Sequence, residues 1–162
     1  MRITTRSAFV LLFLVSSGLL AAGLILGEVK HLQPCHLCIF QRFLYILMAC
    51  FALFGALLPR WHRLWSALFF LTAGGGVLTA LKQSWMQYAP DQSIECGFGD
   101  PTLLERVVNW LGGQWPEMFM VTGFCSDKDW VFLGLSLANW SGVCFLLLTL
   151  AAAWLLFRRK AA

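Results

Sequence analysis

The chain has 162 residues, of which 59% are hydrophobic and only 12% are charged, and its formal net charge is +4. A soluble domain carries about 25% charged residues, so this composition excludes a disordered chain and an ordinary cytosolic enzyme. The basic residues are too few and too scattered for a protein that binds nucleic acid. The composition is typical of a protein that crosses a membrane several times.

Four long stretches without Asp, Glu, Lys or Arg follow one another along the chain. About 20 helical residues, rising about 1.5 Å each, cross the roughly 30 Å hydrocarbon core of a bilayer. Alternating strand patterns are absent, and only a helix would satisfy the backbone of such segments in lipid. We therefore predict an all-α membrane protein, a four-helix bundle forming one integral domain over residues 1–162. The predicted spans are residues 7–27, 39–58, 64–82 and 131–157.

The first stretch also resembles a signal peptide, because basic residues precede it. Its apolar run is longer than the usual 7–15 residues, and no A-x-A site closes it. We therefore expect it to be retained as the first transmembrane helix.

The distribution of charge predicts the orientation of the bundle. Seven of the 12 Lys and Arg residues fall on one side of the predicted spans, and all eight acidic residues fall on the other. Lys and Arg accumulate in cytoplasmic segments, so both termini are expected inside and loops 28–38 and 84–129 outside. The seven basic residues are Arg2, Arg6, Arg60, Arg63, Arg158, Arg159 and Lys160.

The long outer loop contains one helical pattern. Asp100 is a suitable N-cap, Pro101 a suitable first helical residue, and Gly112 a suitable end. Apolar residues recur between them on one face of the helix. This pattern predicts a short interfacial helix on the membrane surface, although a helix packed on the end of the bundle would show the same spacing.

Six cysteines divide into two groups. Cys50 and Cys144 fall within predicted spans, where cysteine usually packs as a small hydrophobe, and we expect both to be inert. The other four fall on the outer side, where an oxidising compartment allows disulfides to persist and where three pairings are possible. These four are Cys35, Cys38, Cys96 and Cys125.

Cys35 and Cys38 form a Cys-X-X-Cys motif where the second helix begins. The partial positive charge of a helix N-terminus stabilises a thiolate. A helix that has begun by Cys35 would align Cys38 and Arg42 with it on one face. Arg42 is the only charge in this apolar run, so it is a candidate for binding a polar ligand or favouring a thiolate, unless it merely extends to the interface.

A metal site is the main chemical alternative for this segment. His31 and His36 lie beside the two cysteines, and imidazole and thiolate are zinc ligands. Their spacing matches no standard zinc motif and the chain has no second Cys-X-X-Cys, so we expect no metal.

Cys96 and Cys125 would close one loop, either as a structural disulfide or as an exposed, exchangeable one.

Several short motifs resemble those of the bacterial disulfide bond formation protein B family, which are membrane quinone reductases that reoxidise a periplasmic thiol oxidase. The resemblance covers nearly the whole chain. It rests on PCHLCIFQR at residues 34–42, QYAP at 87–90, GFC at 123–125 and WVFLGL at 130–135.

The resemblance implies a function and a role for each outer cysteine. Cys96 would form a mixed disulfide with a periplasmic thioredoxin-fold oxidase of the DsbA type, and Cys125, its partner, would then attack Cys35. Cys38 would face a quinone, either ubiquinone or menaquinone, with Arg42 stabilising negative charge beside it. The protein would be a multi-pass protein of the bacterial inner membrane whose active cysteines face the periplasm.

Two glutamines complete the implied quinone site. Gln87 matches a glutamine of the family, whereas Gln83 stands where family members commonly have histidine. A neutral amide can hydrogen-bond a quinone carbonyl but cannot deliver a proton as an imidazolium can. Either proton delivery takes another route in this chain, or the family histidine is dispensable.

Two other functions are compatible with parts of the pattern. A quinone-linked thiol reductase of the vitamin K epoxide reductase type also combines four helices with Cys-X-X-Cys, but that motif usually lies nearer its last helix. A non-enzymatic structural or metal-binding bundle is the second alternative. It predicts bound metal in the purified protein and no loss of function when Cys38 is replaced.

Overall fold

The computed structural model describes residues 4–88, 102–123, 125 and 130–157. Among these residues, four helices are long and apolar enough to cross a membrane, which confirms the predicted all-α four-helix membrane bundle. The elements are α1 (Thr5–Lys30), α2 (His36–Leu57), α3 (His62–Tyr88), α4 (Leu103–Gln114), α5 (Pro116–Phe119), β1 (Val131–Phe132), β2 (Leu135–Ser136) and α6 (Leu137–Phe157).

The first helix extends beyond its predicted limits of 7 and 27 because caps, rather than charges, end it. The Thr4 side chain accepts a hydrogen bond from the Ser7 backbone N–H. At the other end His31 is left-handed, with φ 50°, and its N–H donates to the Glu28 carbonyl. Such caps satisfy the groups that a helix end leaves unpaired. A charged residue near the end is therefore compatible with helix, and α3 likewise continues past Lys82 to Tyr88.

The second helix begins at His36, three residues before the predicted start. Cys35 is its N-cap, and the Cys35 sulfur accepts a hydrogen bond from the Cys38 backbone N–H. At the other end, Pro59–Trp61 forms a single 3-10 turn that leads directly into α3. The predicted outer loop 28–38 is therefore reduced to the few residues between α1 and α2.

The fourth spanning helix begins at Leu137 rather than at residue 131. Residues 131–136 form a two-stranded antiparallel hairpin in which Val131 pairs with Ser136. Leu133 and Gly134 make its turn with φ of 52° and 80°, a left-handed conformation that a right-handed helix cannot contain. The fourth span was predicted to begin too early because residues 131–136 carry no charge. Apolar residues alone do not distinguish a hairpin from a helix.

The spanning helices pack in chain order, with α1 against α2, α2 against α3, and α3 against α6. Completely buried Phe9, Met48, Phe69 and Phe145 belong to one continuous core between them. A Cβ added to Gly76 would overlap the Phe145 ring, so this glycine permits the close approach of α3 and α6. Gly74 and Gly75 face open space and have no such role.

The outer helix α4 differs from its predicted limits. Its N-cap is Thr102, in a capping box with Glu105, while the expected cap Asp100 and first residue Pro101 lie outside the described residues. Gly112 does not end the helix, which continues to Gln114, because Gly112 lacks the left-handed conformation of a glycine that ends a helix.

The two faces of α4 have different surroundings. Val108 and Leu111 are buried against Ile39 of α2, so the helix packs on the end of the bundle. An adjoining apolar set remains exposed, which is what a helix in the membrane interface requires. That set comprises Leu103, Val107 and Trp110. Its insertion into lipid stays a prediction.

Candidate dithiol site

The sulfur atoms of the Cys-X-X-Cys motif lie against each other at the start of α2. Cys35 Sγ donates a hydrogen bond to Cys38 Sγ at 3.1 Å, and both residues are free thiols in this structure. The N-cap position orients Cys35, because its sulfur also accepts from the Cys38 N–H at 3.4 Å. The local geometry of the helix start therefore brings the two sulfurs within exchange distance.

A third cysteine lies beside this pair. It belongs to the part of the predicted outer loop after α3 that the structure describes, residues 102–123 and 125, which is called the outer segment below. Cys125 is buried, 3% exposed, and packs in one cluster with Cys35 and Leu37. Met86 of α3 and Leu104 of α4 pack against the same cluster and cover it. The structure thus brings together three of the four predicted site cysteines, whereas Cys96 lies outside the described residues.

Backbone contacts place Cys125 there. The N–H groups of Thr122 and Gly123 both donate to the Pro34 carbonyl, at 3.0 and 3.2 Å. A Cβ at Gly123 would overlap the carbonyl oxygen of Gln33, so only glycine permits this approach. The segment that carries Cys125 is consequently fixed over the residues that precede Cys35.

The cluster favours the protonated form of Cys35 while all three cysteines are reduced. The hydrogen bond to Cys125 raises the pKa of the Cys35 thiol most, followed by the hydrogen bond to Cys38 and by burial. Donating a hydrogen bond stabilises the neutral thiol, and burial penalises the thiolate. Cys35 is therefore a poor nucleophile in this state.

Two buried amides lie beside the sulfurs, and one of them contacts both sulfur atoms. Gln83 of α3 donates through Nε2 to Cys38 Sγ at 3.0 Å and to Cys35 Sγ at 3.5 Å. Its Oε1 accepts a hydrogen bond from Gln41 Nε2 at 3.0 Å. Gln83 was expected to contact a quinone carbonyl, but here its amide contacts the sulfurs. Gln41 was not predicted from the sequence. The signal that could have identified it is an amide side chain in an apolar helix, on the same side as Cys38.

Arg42 lies on the same side of α2 as Cys38, as predicted. It is partly buried, and its Nη1 donates to the Met118 carbonyl of α5 at 3.1 Å. Its Nη2 lies 3.4 Å from the point where a Cβ of Gly27 in α1 would be. The guanidinium thus lies between the outer segment and the first helix.

A cavity of about 250 Å³ lies beneath these groups, between the spanning helices. Cys38 lines it whereas Cys35 does not, so the two sulfurs have different surroundings. Its walls are mainly apolar residues of α1 and α6, and most of its polar lining residues belong to α2 and α3. The polar lining residues include Gln41, Arg42, Tyr45, Gln83, Gln87 and Ser141.

Further hydrogen bonds hold the polar wall. Gln87 Oε1 accepts from Ser136 Oγ at 2.7 Å, which joins the end of α3 to the hairpin before α6. Deeper in the cavity, the Tyr45 hydroxyl is 3.3 Å from Ser141 Oγ. Cys144 lines the cavity as well, while Cys50 is exposed on the outside of the bundle, so these two cysteines have unlike environments.

The histidines are separate from the sulfurs. His36 Nε2 contacts Asn109 Oδ1 of α4 at 3.3 Å, and His31 is exposed at the end of α1. Within the described ranges, no group of three His, Cys, Asp or Glu side chains is placed to hold a metal ion. The chemistry that these residues offer is thiol–disulfide exchange.

Four helices able to span a membrane, with two adjacent thiols beside a cavity between them, are typical of a multi-pass membrane oxidoreductase. Residues 5–155 match the family described as disulfide bond formation protein DsbB. The chain belongs to this family and is an oxidoreductase of disulfide bond formation.

Three similar proteins, each named disulfide bond formation protein B, agree with this assignment. The one from Dechloromonas aromatica (strain RCB) is 49% identical over 98% of this chain and 96% of its own length. The one from Aromatoleum aromaticum is 40% identical, covering 97% and 95%. The one from Azoarcus sp. (strain BH72) is 41% identical, covering 96% and 94%.

Proposed function

We propose that the protein reoxidises a periplasmic DsbA-type thiol oxidase and passes the electrons through two cysteine pairs to a membrane quinone. The single observation that carries this proposal is the difference between the two sulfurs of the motif. Cys35 packs against Cys125 of the outer segment, while Cys38 lines the cavity between the helices. One sulfur thus has an exchange partner and the other has access to a ligand in the membrane.

The outer steps are two thiol–disulfide exchanges. A thiolate of the reduced oxidase attacks Cys96 of the Cys96–Cys125 disulfide and releases the Cys125 thiolate. Cys125 then attacks Cys35 of the Cys35–Cys38 disulfide and releases the Cys38 thiolate. The second thiol of the oxidase displaces Cys96, and Cys96 displaces Cys35 from Cys125. The oxidase thereby gains a disulfide, and Cys35 and Cys38 hold the electron pair.

The cavity fits a quinone head group. Its apolar walls suit a ring with a hydrocarbon tail, and Arg42, Gln83 and Gln87 line it together with Cys38, so the cavity offers donors for carbonyl oxygens. Arg42 and Gln87 are the side chains that would hold those oxygens. A bound quinone supplies an acceptor for two electrons and two protons, so that the Cys35–Cys38 disulfide can re-form.

Access from lipid follows from how the helices pack. The cavity is lined by α1 and α6, and in the described part of the chain these two helices pack on α2 and α3 rather than extensively on each other. A lipid-soluble ligand would therefore enter between α1 and α6. Either ubiquinone or menaquinone would satisfy these requirements.

The proposed location is the bacterial inner membrane, with the sulfurs facing the periplasm. Arg60 and Arg63 follow the end of α2, whereas Cys35 precedes its start, so the basic turn and the dithiol lie at opposite ends of that helix. Basic turns are cytoplasmic, which would expose the dithiol end to the oxidising compartment.

Quinol formation in detergent tests the proposal. The purified protein, mixed with a reduced DsbA-type oxidase and a short-chain ubiquinone, is expected to form one quinol for each disulfide made in the oxidase. Cys38→Ser is expected to abolish quinol formation, because no disulfide can then form with Cys35. Cys50→Ser is the matched control, since it removes an exposed thiol that is outside the cavity. Absence of quinol with the unaltered protein would overturn the proposal.

A further inference from the structure

Two glutamine side chains form a short hydrogen-bonded chain that ends on the sulfurs. Gln41 of α2 and Gln83 of α3 are polar side chains on spanning helices, and they are only 5% and 3% exposed. Gln41 Nε2 donates to Gln83 Oε1, and Gln83 Nε2 donates to Cys38 Sγ, both at 3.0 Å. An unpaired amide in such a place would cost the full desolvation of that group, so the pairing has a structural reason.

The order of donors in this chain has a chemical consequence. An amide has a donating end and an accepting end, and Gln41 occupies the accepting end of Gln83. The donating end is therefore turned toward the sulfurs. A hydrogen bond given to a thiolate is stronger than one given to a thiol, because the acceptor is charged.

We propose that Gln83 is a catalytic residue that stabilises the Cys38 thiolate by donating a hydrogen bond to its sulfur, and that Gln41 is a positioning residue that fixes the orientation of the Gln83 amide. This inference rests on the proposed function, in which Cys38 is the thiolate released by exchange. The shorter contact to Cys38, 3.0 Å against 3.5 Å to Cys35, directs the donor to the cavity-lining sulfur.

The assignment replaces the role expected for Gln83 from the family resemblance. Its carbonyl end accepts from Gln41 and its amino end donates to the sulfurs, so both ends already have partners within the protein. A neutral donor at this position stabilises negative charge on sulfur without itself carrying a proton to be delivered. The glutamine is therefore suited to holding a thiolate.

Other groups around Cys38 also influence its charge. Cys35 and Cys125 belong to the same cluster, and Arg42 lies one helical turn away on α2 with Glu28 of α1 near it. These groups are unchanged in the variants below. A difference between the variants therefore reports the two amides.

The pH profile of Cys38 alkylation tests the inference without oxidase or quinone. The fully reduced protein in detergent is treated with iodoacetamide at several pH values, and modification of Cys38 is followed by peptide mass spectrometry. Only the thiolate reacts, so the profile measures how readily it forms. Gln83→Leu is expected to slow the reaction at pH 7 about tenfold and to move the midpoint of the profile upward by about one pH unit.

Gln41→Leu tests orientation separately. Leucine removes the donor that holds the Gln83 carbonyl oxygen and adds no charge, so the Gln83 amide can turn and present its oxygen to the sulfur. Slowing in the same direction as that of Gln83→Leu, and no larger, is expected, although Gln83 is retained. Gln114→Leu, at the exposed end of α4, is the matched control and is expected to leave the profile unchanged.

The possible results separate the inference from the proposed function. Circular dichroism establishes that each variant is folded, and either glutamine variant alone decides the question if the other does not fold. An unchanged profile in a folded Gln83→Leu protein overturns the inference even if the unaltered protein forms quinol. A shifted profile together with no quinol from the unaltered protein retains the thiolate donor and rejects the quinone function.

Discussion

The two ends of the bundle are stabilised in different ways. The basic end is where α2 finishes and Arg60 follows, and the core that extends from it is formed by buried apolar side chains such as Phe9 and Phe69. The sulfur end is where α2 begins, and it buries two amides and two cysteines beside a cavity. The first depends on close packing and the second on specific polar contacts, so substitutions at the two ends should fail in different measurements.

The largest effect is expected where α3 and α6 pack together. Gly76→Val would force a side chain into the Phe145 ring and destabilise the fold by about 3 kcal/mol, because a packed core tolerates added volume poorly. Loss of helical circular dichroism on titration with dodecyl sulfate in mixed micelles would measure the change.

Gly74→Val is the control for that substitution, since nothing lies within 4 Å of a Cβ at this position. It adds the same side chain to the same helix and is expected to change stability by less than about 0.5 kcal/mol. Equal destabilisation by the two variants would show that the intrinsic helix preference of valine, rather than the contact with Phe145, sets the result.

An intermediate effect is expected where the outer segment meets the start of α2. In Gly123→Ala the methyl group would overlap the Gln33 carbonyl oxygen and displace Cys125 from Cys35. We expect electron transfer from Cys96 and Cys125 to the Cys35–Cys38 disulfide to slow on the order of a hundredfold, because exchange depends on the alignment of the sulfurs. Rapid acid quenching followed by thiol labelling would give the rate.

Two controls test whether the slower electron transfer in Gly123→Ala comes from the contact between Gly123 and Gln33. Direct reduction of Cys35–Cys38 by dithiothreitol is expected to remain within about twofold, since it does not use Cys125. Gly113→Ala, with nothing within 4 Å of its added Cβ, is expected to behave as the unaltered protein. If Gly123→Ala transfers electrons at the normal rate, then the observed approach of residues 122 and 123 to Pro34 is not what aligns Cys125.

The smallest effect is expected at Arg42. Arg42→Met keeps a side chain of similar length but removes the charge that lines the cavity and the donor to the Met118 carbonyl. We expect the KM for quinone to rise about tenfold, as one charged hydrogen bond to the ligand is lost. Reaction of the outer disulfide with the oxidase in a single turnover is expected to change less.

Lys82→Met is the control, because Lys82 is exposed on α3 and does not line the cavity. Its loss removes one positive charge without touching the site, so the KM for quinone should be unchanged. A rise in KM with Lys82→Met equal to that with Arg42→Met would assign the effect to net charge rather than to the cavity.

Several features of this protein follow from the sequence by itself. A run of apolar residues long enough to span a membrane must be helical in lipid, so the four spans could be predicted from local composition. The position of the Cys-X-X-Cys motif at a helix start could likewise be predicted, since Pro34 precedes the motif and a long apolar stretch follows it. The motifs also led to the correct family.

Only the tertiary structure decided which groups meet. The contact of Cys125 with Cys35, the hydrogen bond from Gln41 to Gln83 and the anchoring of Arg42 on Met118 join residues far apart in the chain. The hairpin before α6 also escaped prediction, because its apolar residues resemble a helix until the left-handed turn is seen. Local pattern specifies the elements, whereas the partner of each polar side chain depends on how those elements pack together.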